Sequence, residues 1–274
     1  MSKPKSWPIK DGLIAGITGP SGSGKTTLLR TLCPAYRLLV LDADGHARQR
    51  LRREMDSGRC TVRRVYTYDE VVGIITDLQA GLWEYEAVAF DSLTLFYDRS
   101  ARMAAVDKSK AAAAAGSKPL PITPGKEERG PASDELRNIV QYLGWLADPD
   151  QVEYPRHVVM TCLEGAWKMS APQAPQGGFI VKRQLPPEGM GGDIVYGPHL
   201  PGKFSEDYGA WLTEHYRLVV VPSEGDPTKW KRELHTRYDG QFWSKGHENL
   251  EAVEPADLLH VVKKIYGEKG GKRG

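Results

Sequence analysis

The most specific chemical signature in this sequence is the stretch GPSGSGKTT at positions 19–27. The spacing of its Gly, Lys and Thr residues matches the eight-residue phosphate-loop pattern. In that pattern, glycines let backbone N–H groups wrap phosphate oxygens, the lysine ammonium reaches the β- and γ-phosphates, and the threonine hydroxyl binds Mg²⁺. The stretch therefore predicts a site for a nucleoside triphosphate, contacted by Gly19, Pro20, Ser21, Gly22, Ser23, Gly24, Lys25, Thr26 and Thr27.

The residues on either side of this stretch have the patterns that a phosphate loop requires. The apolar run GLIAGIT precedes it and predicts a buried strand, and TTLLRTL follows and predicts a helix with Leu28, Leu29 and Leu32 on one side. A helix that begins at the loop adds the positive end of its dipole to the phosphate site. The alternative is a glycine-rich turn that only caps a helix. The complete match between a strand and a helix favours the phosphate loop.

A second chemical feature is the acidic residue at the end of the run AVAFDSL. Four apolar residues lead into Asp91, which is the pattern of a strand that carries a Mg²⁺-binding carboxylate beside a phosphate loop. Mg²⁺ prefers oxygen ligands and commonly keeps several waters. The alternative is an Asp that caps the next helix. The phosphate loop upstream favours the metal site, for which Thr26 and Asp91 are the predicted ligands.

The elements that must position these residues follow from the hydrophobic pattern. Apolar strand-like runs such as YRLLVLDAD, YEAVAFD and RHVVMTCLEG alternate with amphipathic stretches such as YDEVVGIITDLQAG. This alternation predicts an α/β fold with a mostly parallel central sheet flanked by helices. The segments AWLTEHYRLVVVPS and KRELHTRYDGQFWSK predict a C-terminal antiparallel β extension.

The composition predicts one domain with several irregular segments. We expect an N-terminal arm at 1–11, a single domain at 12–266 and a disordered basic tail at 267–274. Residues 100–133 mix an alanine run with Lys, Gly and Pro, and predict a mobile insertion before the helix SDELRNIVQYLGWLAD. Residues 167–201 predict a long loop rich in Gly, Pro and Gln.

Several classes of protein are excluded or disfavoured. The three cysteines at 33, 60 and 162 are far apart, which argues against a zinc site and a disulfide framework. With a net charge of +2, no signal peptide and no membrane-length apolar run, we expect a soluble cytoplasmic protein. A transporter ATPase needs an LSGGQ-like signature and a Glu after the metal-binding Asp, whereas Ser92 follows Asp91 here. The arginines of HARQRLRRE have the spacing of a solvated helix face, which we favour over a kinase lid.

The order of the remaining segments resembles the RecA-like recombinase core. The segment LDADGHA is similar to the family segment that carries an acidic water-activating residue. The segment AVAFDSLTLF is similar to the metal-binding strand of the family, and HVVMTCLEG is similar to the strand that senses the γ-phosphate. The stretch GPHLPGKFSEDYGAWLTEHYRLVVV resembles the return from the second DNA-binding loop. RYDGQFWSKG resembles the closing hairpin of a phage-encoded branch, AAA-type ATP-binding proteins that include single-strand annealing proteins. The resemblance covers most of residues 12–245 and implies a RecA-like P-loop NTPase.

The resemblance implies roles for further residues. Asp44 would orient the attacking water, although the family residue is typically Glu, and Asp42 is its rival, two positions away on the same predicted strand face. Thr161, expected at the end of its strand, and Glu164 would sense the nucleotide. Glu164 either couples the nucleotide to the following loop or faces solvent. With Lys25 and Asp91, these residues form the predicted catalytic set.

The resemblance also implies partners. The loop at 167–201 would bind single-stranded DNA through Lys168, Lys182 and Arg183, with Trp167 and Phe179 stacking on bases. The alternative is an ordinary surface loop or hairpin. RecA-like cores work as rings or filaments, so we expect a homo-oligomer in which Lys203 or Arg217 acts on the neighbouring subunit.

These features together predict a Mg-ATP-dependent ATPase that binds single-stranded DNA in recombination or annealing. The GTPase motif Asn-Lys-x-Asp is absent, which favours ATP. A single-strand DNA-binding protein is a further expected partner, and a phage-encoded chain would act in the host cytoplasm. The alternatives are a P-loop kinase for a small molecule and a nucleotide-dependent switch that contacts a protein.

Overall fold

Strands and helices alternate through most of the chain. The computed structural model describes residues 7–168, 194–238, 242 and 244–267. The strands are β1 (Ile14–Gly19), β2 (Leu38–Asp42), β3 (Cys60–Arg64), β4 (Ala87–Asp91), β5 (His157–Lys168), β6 (Ile194–Pro198), β7 (Glu214–Ser223), β8 (Asp226–His235) and β9 (Val253–Pro255). The α-helices are α1 (Lys25–Leu29), α2 (Ala47–Arg50), α3 (Arg52–Asp56), α4 (Tyr68–Gln79), α5 (Leu93–Ala114), α6 (Lys126–Trp145), α7 (Gly202–Asp207) and α8 (Leu258–Tyr266).

The strands form the mixed sheet that the sequence predicts. Their order is β3-β2-β4-β5-β1-β7-β8-β9, and the neighbours from β3 to β7 are all parallel. β7, β8 and β9 pair antiparallel at the other end, and β6 pairs with the outer half of β5. The expected α/β fold with a C-terminal antiparallel extension is therefore confirmed.

The central strands are apolar on both faces because helices cover both sides of the sheet. Within β2, Leu39 and Leu41 pack into a core with α4, α5 and α6, whereas Leu38 and Val40 pack into a second core with α1 and α8. Successive side chains of a strand point to opposite faces, so a continuous apolar run is needed to fill both layers.

The predicted insertion at 100–133 is mostly helical. α5 extends to Ala114 and α6 begins at Lys126, seven residues before the predicted helix, so that only 115–125 lack regular structure. The alanine run has high helix propensity. Lys108 on α5 contacts the carboxylates of Glu127 and Glu128 on α6, and Ser109 Oγ donates to the Leu120 carbonyl at 2.9 Å. These contacts join the two helices into a hairpin.

Strands extend into both ends of the predicted loop at 167–201. β5 continues to Lys168, and β6 returns over Ile194–Pro198 in antiparallel register, with Glu164 opposite Pro198. Thr161 therefore lies inside β5, and the prediction that it ends the strand is wrong. The backbone pairing with β6 carries the strand beyond the parallel sheet.

None of the helices in the described ranges is long and apolar enough to cross a membrane.

Candidate functional site

The predicted phosphate loop lies directly after β1. Gly22 and Gly24 have φ angles of 79° and 98°, which favour glycine, and α1 begins at Lys25 immediately after the second of them. A Cβ atom at Gly19 would lie 2.6 Å from the Leu218 carbonyl oxygen on β7, so this position leaves no room for a side chain. The first N–H groups of a helix have no partner within it. The loop therefore presents backbone donors where an anion would bind.

The side chains of the loop fit a polyphosphate. The Lys25 ammonium is buried and donates to the carbonyl oxygens of Gly19 at 2.7 Å and Pro20 at 2.9 Å. Burial lowers the pKa of Lys25, and the charge of Asp91 opposes this effect. Among the described residues, the buried Ser23 hydroxyl has no hydrogen-bond partner, and a Cβ atom at Gly22 would meet nothing within 4 Å. A nucleotide phosphate would provide the acceptors that Ser23 and Lys25 can use.

Asp91 is held between two threonine hydroxyls. It ends β4 and is 3% exposed; Thr26 Oγ1 donates to Oδ2 at 2.6 Å and Thr161 Oγ1 donates to Oδ1 at 2.5 Å. Burial raises the pKa of Asp91, and the hydrogen bonds from Thr161 and Thr26 oppose that rise. Sequence reasoning assigned Thr161 to nucleotide sensing and missed its contact with Asp91, the predicted metal ligand.

The strand order explains how these residues meet. β5 lies between β1 and β4, with Ile17 opposite Thr161 and Phe90 opposite Met160. Parallel strands that end at one edge bring the phosphate loop, Thr161 and Asp91 together there. In the described part of the chain, no group of three His, Cys, Asp or Glu residues could hold a metal alone. This donor set suits Mg²⁺ that is held by Thr26 and Asp91 together with phosphate oxygens and water.

The two other acidic residues differ in their environment. Asp42 ends β2 and is 1% exposed, and its Oδ1 accepts from the Gly45 N–H at 2.5 Å. Asp44 lies beyond the strand, with a half-buried side chain whose Oδ1 is 3.8 Å from His46 Nε2. The prediction that Asp42 and Asp44 share a strand face is wrong because β2 ends at Asp42. Asp42 stabilises the turn through the Gly45 N–H, whereas the carboxylate of Asp44 lies nearest to His46.

The Asp44 segment is tied to the metal-binding strand. The N–H groups of Ala43 and Asp44 donate to the Asp91 carbonyl at 2.7 Å and 3.3 Å. Burial lowers the pKa of Lys25 and raises that of Asp91, and the charge of Asp44 has a smaller upward influence on both. The backbone hydrogen bonds place the Asp44 segment beside Asp91, and the role of Asp44 in orienting water stays a prediction.

Glu164 forms an ion pair within its own chain. Its two carboxylate oxygens accept from Nε and Nη2 of Arg217, both at 2.9 Å, and the side chains are 10% and 17% exposed. The Arg217 guanidinium also lies 5.1 Å from the centre of the Tyr196 ring and 5.3 Å from that of Phe242. The alternative that Glu164 faces solvent is wrong. Arg217, a predicted trans-acting residue, contacts Glu164 on β5 in cis.

Arg232 is a site residue that sequence reasoning missed. It lies on β8, and its Nε donates to the Ser23 carbonyl in the phosphate loop at 2.8 Å. It is 209 positions from Ser23 in the chain, in a strand that local patterns identify only as an antiparallel extension. No motif in the sequence distinguishes it from the neighbouring lysines.

The predicted DNA-binding residues are only partly within the described chain. Trp167 and Lys168 belong to β5, where their backbones pair with Val195 and Ile194. Phe179, Lys182 and Arg183 lie outside the described residues, as do residues 1–6 of the predicted arm at 1–11 and residues 268–274 of the predicted tail at 267–274. The side chain of Lys203 in α7 is not described either.

Comparison with known proteins supports the assignment of the nucleotide site. A family model described as an AAA domain matches residues 11–119, from the strand before the phosphate loop through Asp91 and α5. No curated protein matches the chain. Thr161, Glu164 and Arg232 lie beyond the matched range.

The fold, the phosphate loop and this match support a nucleotide-binding ATPase with a P-loop domain. ATP is the expected substrate, and Mg²⁺ the expected metal.

Proposed function

We propose that this ATPase binds single-stranded DNA and promotes recombination or single-strand annealing with Mg-ATP. The observation that supports the proposal is the course of β5. One strand contains Thr161, which donates to the metal-binding Asp91, and Glu164, and it reaches Trp167 and Lys168 at the start of the predicted DNA-binding loop. A continuous strand between these two regions gives a physical route for coupling ATP to DNA.

The residues of the nucleotide site have separable roles in hydrolysis. Lys25 places a positive charge at the β- and γ-phosphates, and the N–H groups at the start of α1 donate to phosphate oxygens. Thr26 and Asp91 would hold Mg²⁺, which would supply positive charge beside the transferred phosphoryl group. Asp44 accepts a hydrogen bond from the attacking water and orients it. Thr161 donates to the Asp91 carboxylate, which opposes the rise in its pKa caused by burial and fixes it in position.

Glu164 couples the two sites in this proposal. Its pairing with Arg217 fixes β5 against β7, near the point where β5 leaves the parallel sheet. A change at Asp91 that shifts Thr161 would be transmitted along β5 to this ion pair and to the loop. Linkage requires that ATP and DNA raise each other's affinity by the same factor. We further propose that the active form is a homo-oligomer, with a single-strand DNA-binding protein as a partner.

The test is a fluorescence-anisotropy titration of a labelled oligothymidine at two salt concentrations, with and without a non-hydrolysable ATP analogue. We expect measurable affinity that the analogue increases, together with ATP hydrolysis that the oligothymidine accelerates. If wild-type protein binds ATP but does not bind DNA in either nucleotide state, the proposal is wrong. The kinase and protein-switch alternatives would then remain.

Variants of the predicted loop make the test specific. The double variant Lys182→Ala/Arg183→Ala should make the negative slope of log affinity against log salt shallower by about 1.4, because each lost contact with a single strand removes about 0.7. Phe179→Ala should cost roughly 1–3 kcal/mol of stacking with little change in that slope. Arg102→Ala with Lys118→Ala, two exposed cations elsewhere on the chain, is the matched control. An equal effect of the control pair would contradict the assignment of the loop.

A further inference from the structure

The position of Arg232 suggests a direct role at the nucleotide. β8 pairs with β7, where Arg232 is opposite Val220, and β7 pairs in turn with β1, which leads into the phosphate loop. The guanidinium lies against the loop backbone: a Cβ atom added at Gly24 would be 2.6 Å from Nε and 3.3 Å from Cζ of Arg232. The glycine therefore leaves the space that the guanidinium occupies.

Most of the donor capacity of this guanidinium is free. Arginine carries five N–H donors in a fixed fork, and Arg232 uses its Nε for the Ser23 carbonyl. In the described part of the chain it has no carboxylate partner, whereas Lys229 and Lys231 on the same strand are ion-paired with Asp226 and with Glu224 and Glu233. Arg232 is thus the cation of β8 with unpaired charge beside the loop.

We propose that Arg232 contacts the phosphates of the nucleotide bound by its own subunit through its Nη groups. The proposal rests on nucleotide binding at the phosphate loop. It assigns to the same chain a positive charge that the sequence resemblance assigned to a neighbouring subunit through Lys203 or Arg217. Arg232 would increase ATP affinity because charge-assisted hydrogen bonds to phosphate add to those from Lys25.

The first test measures the affinity of a fluorescent ATP derivative for Arg232→Gln, Arg232→Lys and the control Lys231→Gln. We expect Arg232→Gln to weaken binding about 10- to 100-fold and to reduce its salt dependence, as expected for one lost charge-assisted contact. Arg232→Lys should recover part of both effects because it keeps the charge, and Lys231→Gln should match wild type. An affinity and salt dependence equal to wild type in Arg232→Gln would overturn the proposal. If wild-type protein does not bind the derivative, nucleotide binding itself fails.

A mixing experiment separates action in cis from action in trans. Arg232→Gln protein keeps an intact phosphate loop, and Lys25→Ala protein keeps Arg232. If Arg232 acted on a neighbouring subunit, mixed oligomers would regain ATP hydrolysis. We expect no recovery at any ratio of the two variants, and recovery would overturn the assignment in cis.

A different observation supports a second proposal, which rests on DNA binding. Residues 46–64 contain seven arginines and two carboxylates, a net charge of +5, while the whole chain carries only +2. All seven arginines are exposed, and in the described chain only Arg52 is ion-paired, with Asp56 at 3.9 Å. Arg48, Arg50, Arg53, Arg59 and Arg64 form the surface that we call the arginine face. Arg63 points to the other side of the sheet, where its guanidinium lies 4.8 Å from the centre of the Trp83 ring.

The arginine face is next to the nucleotide site. It lies on α2, α3 and the edge strand β3, and Arg64 at the end of β3 is in register with Asp42, which is in register with Asp91. A Cβ atom at Gly45 would be 1.8 Å from Nη1 of Arg64, so this guanidinium packs on the residue that follows Asp44. A ligand of the face would therefore contact the segment that carries Asp44.

We infer that the arginine face binds the phosphate backbone of single-stranded DNA. Guanidinium groups suit phosphate because they can donate two parallel hydrogen bonds. Tyr66, 46% exposed and 5.2 Å from the Arg64 guanidinium, offers a ring for base stacking. The exposed large apolar side chains of the described chain include none between 46 and 64, which disfavours insertion into a lipid surface.

The test measures the binding of labelled oligothymidine by two double variants. The first is Arg53→Ser/Arg59→Ser, and the control is Arg102→Ser/Lys118→Ser. We expect the first double variant to make the negative slope of log affinity against log salt shallower by about 1.4, and the control to leave that slope unchanged. Equal slopes for the first double variant and wild type would overturn the inference, whereas no binding by wild type would overturn the proposed function. Stronger binding of polyglutamate or anionic vesicles than of oligothymidine would contradict nucleic acid as the partner.

Discussion

The hydrogen bond from Thr161 to Asp91 gives a prediction that sequence alone could not make. Thr161→Val removes the hydroxyl and keeps a β-branched side chain of similar shape. Thr161 is fully buried and Asp91 is 3% exposed, so water cannot readily replace the lost donor. The Asp91 carboxylate would keep one side-chain donor, Thr26, of the two that contact it.

The size of the effect follows from the charge on the acceptor. A hydrogen bond to a charged group contributes about 1.5–3 kcal/mol, and burial puts this one in the upper part of that range. Burial raises the pKa of Asp91 and the Thr161 hydroxyl opposes the rise, so the variant should have a pKa raised further. A carboxyl group whose folded pKa is raised destabilises the folded protein at high pH and has no such effect once it is protonated. The difference in stability should therefore be full at pH 8 and shrink as pH falls.

Two assays check this prediction: urea denaturation of the ligand-free protein at several pH values, and Mg²⁺-dependent ATP binding over the same range. Thr161→Val should unfold at lower urea than wild type at pH 8 and should lose Mg²⁺-dependent binding at a higher pH than wild type. Thr161→Ser keeps the hydroxyl and should restore the pH profile. The reasoning is refuted if Thr161→Val matches wild type in both assays, or if Thr161→Ser fails in the same way as Thr161→Val.

Four further predictions concern groups with different environments. Lys25→Ala should weaken ATP binding about 10- to 150-fold in a folded protein, as measured by titration with a fluorescent ATP derivative, and unchanged affinity would contradict the phosphate-loop assignment. Asp91→Asn should raise the melting temperature of the ligand-free protein at neutral pH, because burial raises the pKa of that carboxyl, and should abolish Mg²⁺-dependent binding. Asp44→Asn should instead spare binding and slow hydrolysis about 10²- to 10⁴-fold, and a wild-type rate would show that another group orients the water. His215 is buried, and burial lowers its pKa to about 4. As the pH falls, the unfolded chain therefore takes up a proton at this histidine before the folded protein does, and stability should fall by about 3 kcal/mol between pH 6.5 and pH 4. Urea denaturation should show a smaller loss of stability in His215→Gln.

Some errors of the sequence predictions have a common physical cause. β2 ends at Asp42 because the Asp42 carboxylate binds the Gly45 N–H and the chain turns there, which separates it from Asp44. The segment at 100–133 forms helix because α5 and α6 pack on each other through Lys108 and its acidic partners. In both cases a side-chain contact accompanies the observed conformation, and in the second the helix propensity of the alanine run adds to it.

The sequence by itself determined the phosphate loop, the α/β class and the position of Asp91. These depend on neighbouring residues: glycines adopt positive φ angles, a helix begins at Lys25, and an apolar run long enough for one buried strand ends in a carboxylate. Local rules of backbone conformation and burial are sufficient for such features.

Tertiary structure alone decided which distant side chains complete the site. Thr161 contacts Asp91 across 70 positions, Arg217 pairs with Glu164 across 53, and Arg232 contacts Ser23 across 209. Each contact depends on the order of the strands, with β5 between β4 and β1 and the β7–β8 hairpin beside the phosphate loop. Strand order follows from how all the helices and strands pack together, and no local stretch of sequence contains that information.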